Sequence, residues 1–216
     1  MIGIFEAISE GDLERIREIV RADPSILNTA IGEYGESPLM ASISDMERRL
    51  EIIEFLVESG ANVGFATKEG YTALHCNIDL NGPSGSGRLP DQVARLLKDK
   101  GANVEARNHY GWTPLMRAAI EGTGDEFKAL LDIGADFGVR YPAHAMPAFT
   151  RGRSLASIVL PQPEKVRMLL AAGFKPEPSL IDDAKQSLEE AKDPDSSYGK
   201  GLRESMEIIQ GALGAA

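Results

Sequence analysis

The chain ends four helix-like apolar runs in nearly the same way: Gly60-Ala61-Asn62-Val63, Gly101-Ala102-Asn103-Val104, Gly134-Ala135-Asp136-Phe137 and a degenerate Gly173-Phe174-Lys175-Pro176. A second pattern alternates with the first: Gly35-Glu36-Ser37-Pro38-Leu39-Met40, Gly70-Tyr71-Thr72-Ala73-Leu74-His75 and Gly111-Trp112-Thr113-Pro114-Leu115-Met116. Two patterns in alternation define one unit used several times. A unit of a few tens of residues cannot bury its apolar face alone, so such units stack on their neighbours. The closing glycines lie 41, 33 and 39 residues apart.

Counting back from each closing glycine exposes the helix face that must be covered. Seven residues before it stand Ile53, Ala94, Phe127 and Val166; four before it stand Leu56, Leu97, Leu130 and Leu169; three before it stand Val57, Lys98, Leu131 and Leu170. Offsets of three and four put these side chains on one helical stripe. Glycine directly after the stripe is a helix stop, because it enters the left-handed conformation cheaply.

A unit of about 33 residues that opens on a T-P-L-H-like element resembles the ankyrin repeat. The distances from Leu39, Leu74, Leu115 and Leu155 to the next closing glycine are 21, 27, 19 and 18 residues. The 19-residue case has the family spacing, and the others read as insertions or a deletion between paired helices. The resemblance implies an all-α solenoid of stacked helix pairs with β-turn fingers. It implies one domain over 1–216, of about six units: an N-terminal cap at 2–28, inner units at 33–64, 68–105, 109–138 and 151–176, and a C-terminal cap at 178–214. In the last cap, Ser179 with Asp182 predicts a capping box. A helix to about Lys192 and another from Leu202 to Leu213 should follow.

Composition narrows the function. A net charge of −10 with a pI near 4.9 argues against nucleic acid, which needs clustered Lys and Arg. The acidity instead suits solubility or attraction to a basic partner. The single cysteine, Cys76, excludes an internal disulfide framework and falls where a small buried residue is expected. No apolar run of about 18 residues and no leader-like start is read, so a reducing cytoplasm is the expected location and no membrane is expected.

Chemistry finds little support. Gly82-Pro83-Ser84-Gly85-Ser86-Gly87-Arg88-Leu89 has the outer glycine gap of a phosphate-binding loop. It lacks the lysine, the magnesium-binding hydroxyl and the preceding strand, and reads as an inserted loop. A nucleotide-dependent enzyme built on this tract is the rival from another class. His144 and His109 lack companions at metal or catalytic spacing, and the resemblance gives His75 a structural part, tying loops together. No catalytic residue, cofactor or metal is expected.

Ankyrin-like stacks bind proteins through finger tips and the exposed side of each first helix. Carried over, the tips are Glu33, Tyr34 and Glu36, then Lys68, Glu69 and Tyr71, then His109, Tyr110 and Trp112; the helix positions are Ser44, Asp45, Leu80, Ile120 and Glu121. An aromatic stands beside each turn glycine in a chain only 6% aromatic, and Tyr and Trp dominate interface hot spots. The competing reading has these aromatics bracing one finger on the next. Tyr141 could extend the row. The expected function is non-catalytic binding of a partner protein, with the free chain a monomer. It would inhibit or sequester that partner, as do some stand-alone bacterial ankyrin proteins that are antidotes to a neighbouring toxin. The alternative is an adaptor that tethers several proteins.

Overall fold

The structure is a computed structural model and describes residues 2–45, 47, 49–78 and 89–215. Among the described residues there are twelve α-helices, two short 3-10 turns, no β-strand and only isolated β-bridges. The helices come in six consecutive pairs: α1 (Ile2–Glu10) with α2 (Leu13–Ala22), α3 (Pro38–Ser44) with α4 (Leu50–Glu58), and α5 (Ala73–Cys76) with α6 (Pro90–Asp99). The series continues with α7 (Pro114–Ile120) and α8 (Gly124–Asp132), α9 (Leu155–Val159) and α10 (Pro163–Ala171), and α11 (Ser179–Glu189) and α12 (Ser197–Gly214). First helices pack in succession, α1 on α3, α3 on α5, α5 on α7, α7 on α9 and α9 on α11; second helices do the same from α4 through α12. This is the stacked solenoid.

The stripe is where its periodicity puts it. Ile53, Ala94, Phe127 and Val166 are buried, as are Leu56, Leu97, Leu130 and Leu169. At the third offset only Val57 is buried, while Leu131 and Leu170 are half-buried and Lys98 is exposed. First helices start on capped turns: the Ser37, Thr113 and Ser154 hydroxyls accept the N–H groups of Met40, Met116 and Ser157.

In the N-terminal cap, α1 and α2 meet at Gly11–Asp12, where the Asp12 carboxylate caps α2 by accepting the Arg15 N–H. The other end departs from expectation in detail: Ser179 already has helical conformation, so it caps nothing and the expected box does not form. The last helix begins at Ser197 rather than Leu202, with the Ser196 hydroxyl accepting the Gly199 N–H. Gly201 is needed there: a Cβ would lie 2.1 Å from the Pro161 carbonyl oxygen, so only glycine lets α12 lie this close to the turn before α10.

Candidate protein-binding face

Each finger is a tight turn closed on a glycine. In the first, Ile31 and Glu36 exchange both backbone hydrogen bonds around Gly35. In the second, the Thr67 N–H donates to Tyr71 and the Gly70 N–H to Thr67; in the third, Asn108 donates to Trp112 and Gly111 to Asn108. The fourth repeats the scheme around a long insertion, with Tyr141 donating to Arg153 and Gly152 to Tyr141. The insertion is ordered, with a 3-10 turn at Ala148–Thr150 and the Arg151 Nε–H donating to the Ala145 carbonyl.

Fingers are joined to one another through the backbone. The Lys68 N–H donates to the Tyr34 carbonyl at 3.1 Å and the His109 N–H to the Glu69 carbonyl at 2.7 Å. The Lys68 ammonium also reaches the Glu33 carbonyl at 3.0 Å. Gly70 sits at φ +78°, and a Cβ there would lie 3.0 Å from Asn108 Cα, so glycine sets how closely the second finger approaches the third. The position equivalent to Lys68 and His109 in the fourth finger is Pro142, which has no N–H; it packs instead over Gly111.

Beneath the fingers, His75 fastens two units. The Thr72 N–H donates to its Nδ1 at 3.2 Å, which leaves the proton on Nε2, and Nε2 donates to the Trp112 carbonyl at 3.0 Å. Burial holds the imidazole down at about 4, against 6.5 in the free side chain. Arg117 closes the same junction: it donates to the His75 carbonyl at 2.7 Å, lies over the Tyr71 ring at 5.1 Å and pairs with Glu121 at 2.8 Å. The loop-tying part expected of His75 is thus visible atom by atom.

The predicted contact residues sort by exposure. Glu33, Tyr34, Lys68 and His109 are exposed, Tyr34 at 58%. Glu36, Asp45, Glu69, Tyr71, Tyr110, Ile120 and Glu121 are half-buried, and Ser44 is exposed. Asp45 lies 3.8 Å from Arg49, so its charge, like that of Glu121, is partly answered within the chain. Leu80 and the Gly82–Arg88 tract lie outside the described residues.

Trp112 corrects the expectation. It is 3% exposed, with its ring 5.7 Å from Tyr110 and edge-on to Tyr141 at 6.0 Å. Tyr141 is buried too, its hydroxyl donating to the Met116 carbonyl at 2.6 Å. These rings brace the stack and cannot meet a partner. From His75 the ring contacts run through Tyr71, His109, Tyr110 and Trp112 to Tyr141, which ties the fingers laterally. Cys76, expected to be buried, is half-exposed. Among the described residues no group of three or more His, Cys, Asp or Glu is placed to hold a metal, and no helix is long and apolar enough to cross a membrane.

Comparison with known proteins agrees with this geometry. Residues 4–83 match the family model described as ankyrin repeats in three copies. SH3 and multiple ankyrin repeat domains protein 2 of Homo sapiens is 35% identical over 96 residues, covering 44% of this chain and 5% of the relative. An ankyrin repeat protein of Rickettsia felis is 32% identical over 108 residues, covering 50% of this chain and 46% of the relative. Ankyrin repeat protein nuc-2 of Neurospora crassa is 38% identical over 86 residues, or 39% of this chain and 7% of the relative. The chain therefore spans less than half the length of each of these relatives. Ankyrin repeats generally mediate protein–protein interaction, and the family is generally non-catalytic. With capped first helices, glycine-stopped second helices and fingers tied through His75, the chain is similar to ankyrin repeat proteins, and its residues 4–83 match their repeats.

Proposed function

We propose that this chain binds a partner protein through the row formed by the first three fingers and the exposed side of the first helices, and acts by covering the partner's surface. The observation that supports this is the coupling of the fingers. Backbone bonds, the His75 junction and the ring contacts hold Glu33, Tyr34, Lys68 and His109 out of the stack in fixed positions. A surface ordered before binding loses little conformational entropy when a partner arrives. Tyr34 offers a large ring with a polar tip, the type of side chain that anchors interfaces. Glu33, Glu36 and Glu69 have no cation within ion-pair distance among the described residues, so they favour a partner with a basic face. The chain thereby inhibits or sequesters a single partner, with an antidote to a toxin as its specific form.

The test is co-purification of the tagged chain from its host, with the wild type beside a Tyr34→Ala, Glu33→Lys double variant. A single stoichiometric partner that the variant fails to retain supports the reading. Equal retention by both forms, or recovery of several weak partners, refutes it; the second result instead supports an adaptor.

A further inference from the structure

The row of fingers stops before the row of helices does. The first two fingers each present, just before the glycine, a carbonyl to the finger that follows, Tyr34 to Lys68 and Glu69 to His109, whereas the third is followed by Pro142, which has no N–H to give. In the fourth finger that carbonyl belongs to Arg151. No fifth finger reaches it, because the five residues 174–178 lead straight from Gly173 into α11. A groove of about 700 Å³ occupies the place, with the fourth finger on one side and α11 on the other.

The groove's three arginines all come from the fourth finger. Arg140, Arg151, Arg153 and Lys175 line the groove, and none has a carboxylate within ion-pair distance among the described residues. In a chain of net charge −10, four unanswered cations at one site need a reason. Hydrogen bonds fix the three guanidinium groups: Arg140 to the Gly152 carbonyl and Arg151 to Ala145 within the finger, and Arg153 to Ser157 on α9. The α11 side carries Asp183 and Glu190, while the 174–178 linker carries both Lys175 and Glu177. Phe137 and Phe174, edge-on at 6.1 Å, and Phe149, 57% exposed, add apolar surface.

We propose that this groove docks an extended acidic peptide, which takes the place of the absent fifth finger. Its backbone would donate an N–H to the Arg151 carbonyl, as Lys68 and His109 donate to the fingers before them and as strands add to an open edge. Side chains of an extended segment alternate between two sides. Carboxylates on one side meet the arginines, while Asp183 and Glu190 exclude them from the other. The ligand therefore carries acidic residues at every second position, with polar, basic or apolar residues between them. This surface is separate from the first three fingers, so it extends the proposed function and does not depend on it.

The experiment selects a phage-displayed library of nine-residue peptides on the immobilised full chain and measures the winners in solution. Enriched peptides should have Asp or Glu at alternate positions. Binding should shift the Gly152 amide resonance and leave those of Gly35 and Gly70 in place. Lys175→Glu reverses an exposed charge with no hydrogen-bond partner among the described residues; with Arg151→Glu added, affinity should fall about tenfold or more. Asp183→Lys should strengthen binding, and Tyr34→Ala should leave it unchanged. The proposal fails if no peptide is enriched over the bare support, if winners lack acidic residues, if Lys175→Glu is silent, or if the resonances that move belong to the first three fingers.

Discussion

The imidazole of His75 and the carbonyl of Trp112 are joined at 3.0 Å between consecutive fingers, and the Thr72 N–H at Nδ1 fixes which ring nitrogen carries the proton. A proton added at Nδ1 would destroy the Thr72 bond and place a charge in a site with no exposed surface, 0% for His75. The junction therefore works only while the imidazole is neutral.

That requirement sets an acid limit. The folded imidazole titrates at about 4 and the unfolded one at 6.5, so between these values the unfolded chain binds more protons. The stabilisation is complete above pH 6.5 and drains away as pH falls toward 4, to a total of about 3 kcal/mol. Urea unfolding at pH 7.5, 5.5 and 4.5 should show this loss. A His75→Gln variant, less stable at pH 7.5, should show a shallower fall; identical pH profiles for the two would contradict the assignment.

Trp112 has become a stability residue. Its ring fills the space between Tyr110 and Tyr141, and its Nε1–H has no acceptor among the described residues. Trp112→Ala should cost about 3–5 kcal/mol, as expected of a large buried ring. Trp112→Phe keeps an aromatic and gives up no hydrogen bond, so its cost should be about 1–2 kcal/mol. Thermal melts rank the two variants; an unaffected melting temperature in Trp112→Ala would contradict the packing.

The architecture was legible because it depends on spacing. The stripe before each closing glycine, the capped starts and the fingers all follow from which residue types recur at which offsets. Trp112 and Tyr141 were not legible as braces, since hot-spot enrichment ranks residue types and says nothing of where a side chain points. The residue after the turn glycine folds back toward the stack, which buries Trp112 and half-buries Tyr71. One signal went unused. Eight residues before each closing glycine stand Ile52, Val93, Glu126 and Lys165, all buried and all one helical turn from the leucines of the stripe. The same periodicity would have flagged two buried charges in adjacent units.

The proposed partner face has its own signature. If Glu33, Glu36 and Glu69 steer a basic partner, raising salt from about 50 mM to about 500 mM should slow association while dissociation changes little. Tyr34→Ala should do the opposite, raising the dissociation rate by about tenfold or more with the folded chain's melting temperature unchanged, because the ring is mostly exposed. Surface plasmon resonance separates the two rates. An association rate indifferent to salt would leave the acidity without a part in binding.

Lys165 gives the last prediction. Its ammonium, 3% exposed, donates to the carbonyls of Ala118 at 2.8 Å and Gly122 at 2.7 Å and lies over the Phe127 ring at 5.6 Å. It caps the end of α7 from a different helix pair, where the helix dipole favours a cation. Burial nonetheless lowers its titration to about 8 from 10.5, against the pull of Glu126 and Glu164. Below pH 8 both folded and unfolded chains hold the proton and the burial penalty is in force. Between 8 and 10.5 the unfolded chain binds more protons, so stability should rise with pH, by up to about 3 kcal/mol. Lys165→Met removes the charge but leaves the Gly122 carbonyl without its donor, and should cost about 1–3 kcal/mol at pH 7. Urea midpoints at pH 7, 9 and 10 should rise for the wild type relative to the variant. A gap between them that stays constant with pH would mean that Lys165 keeps its proton throughout, and that the contacts at α7 outweigh its burial.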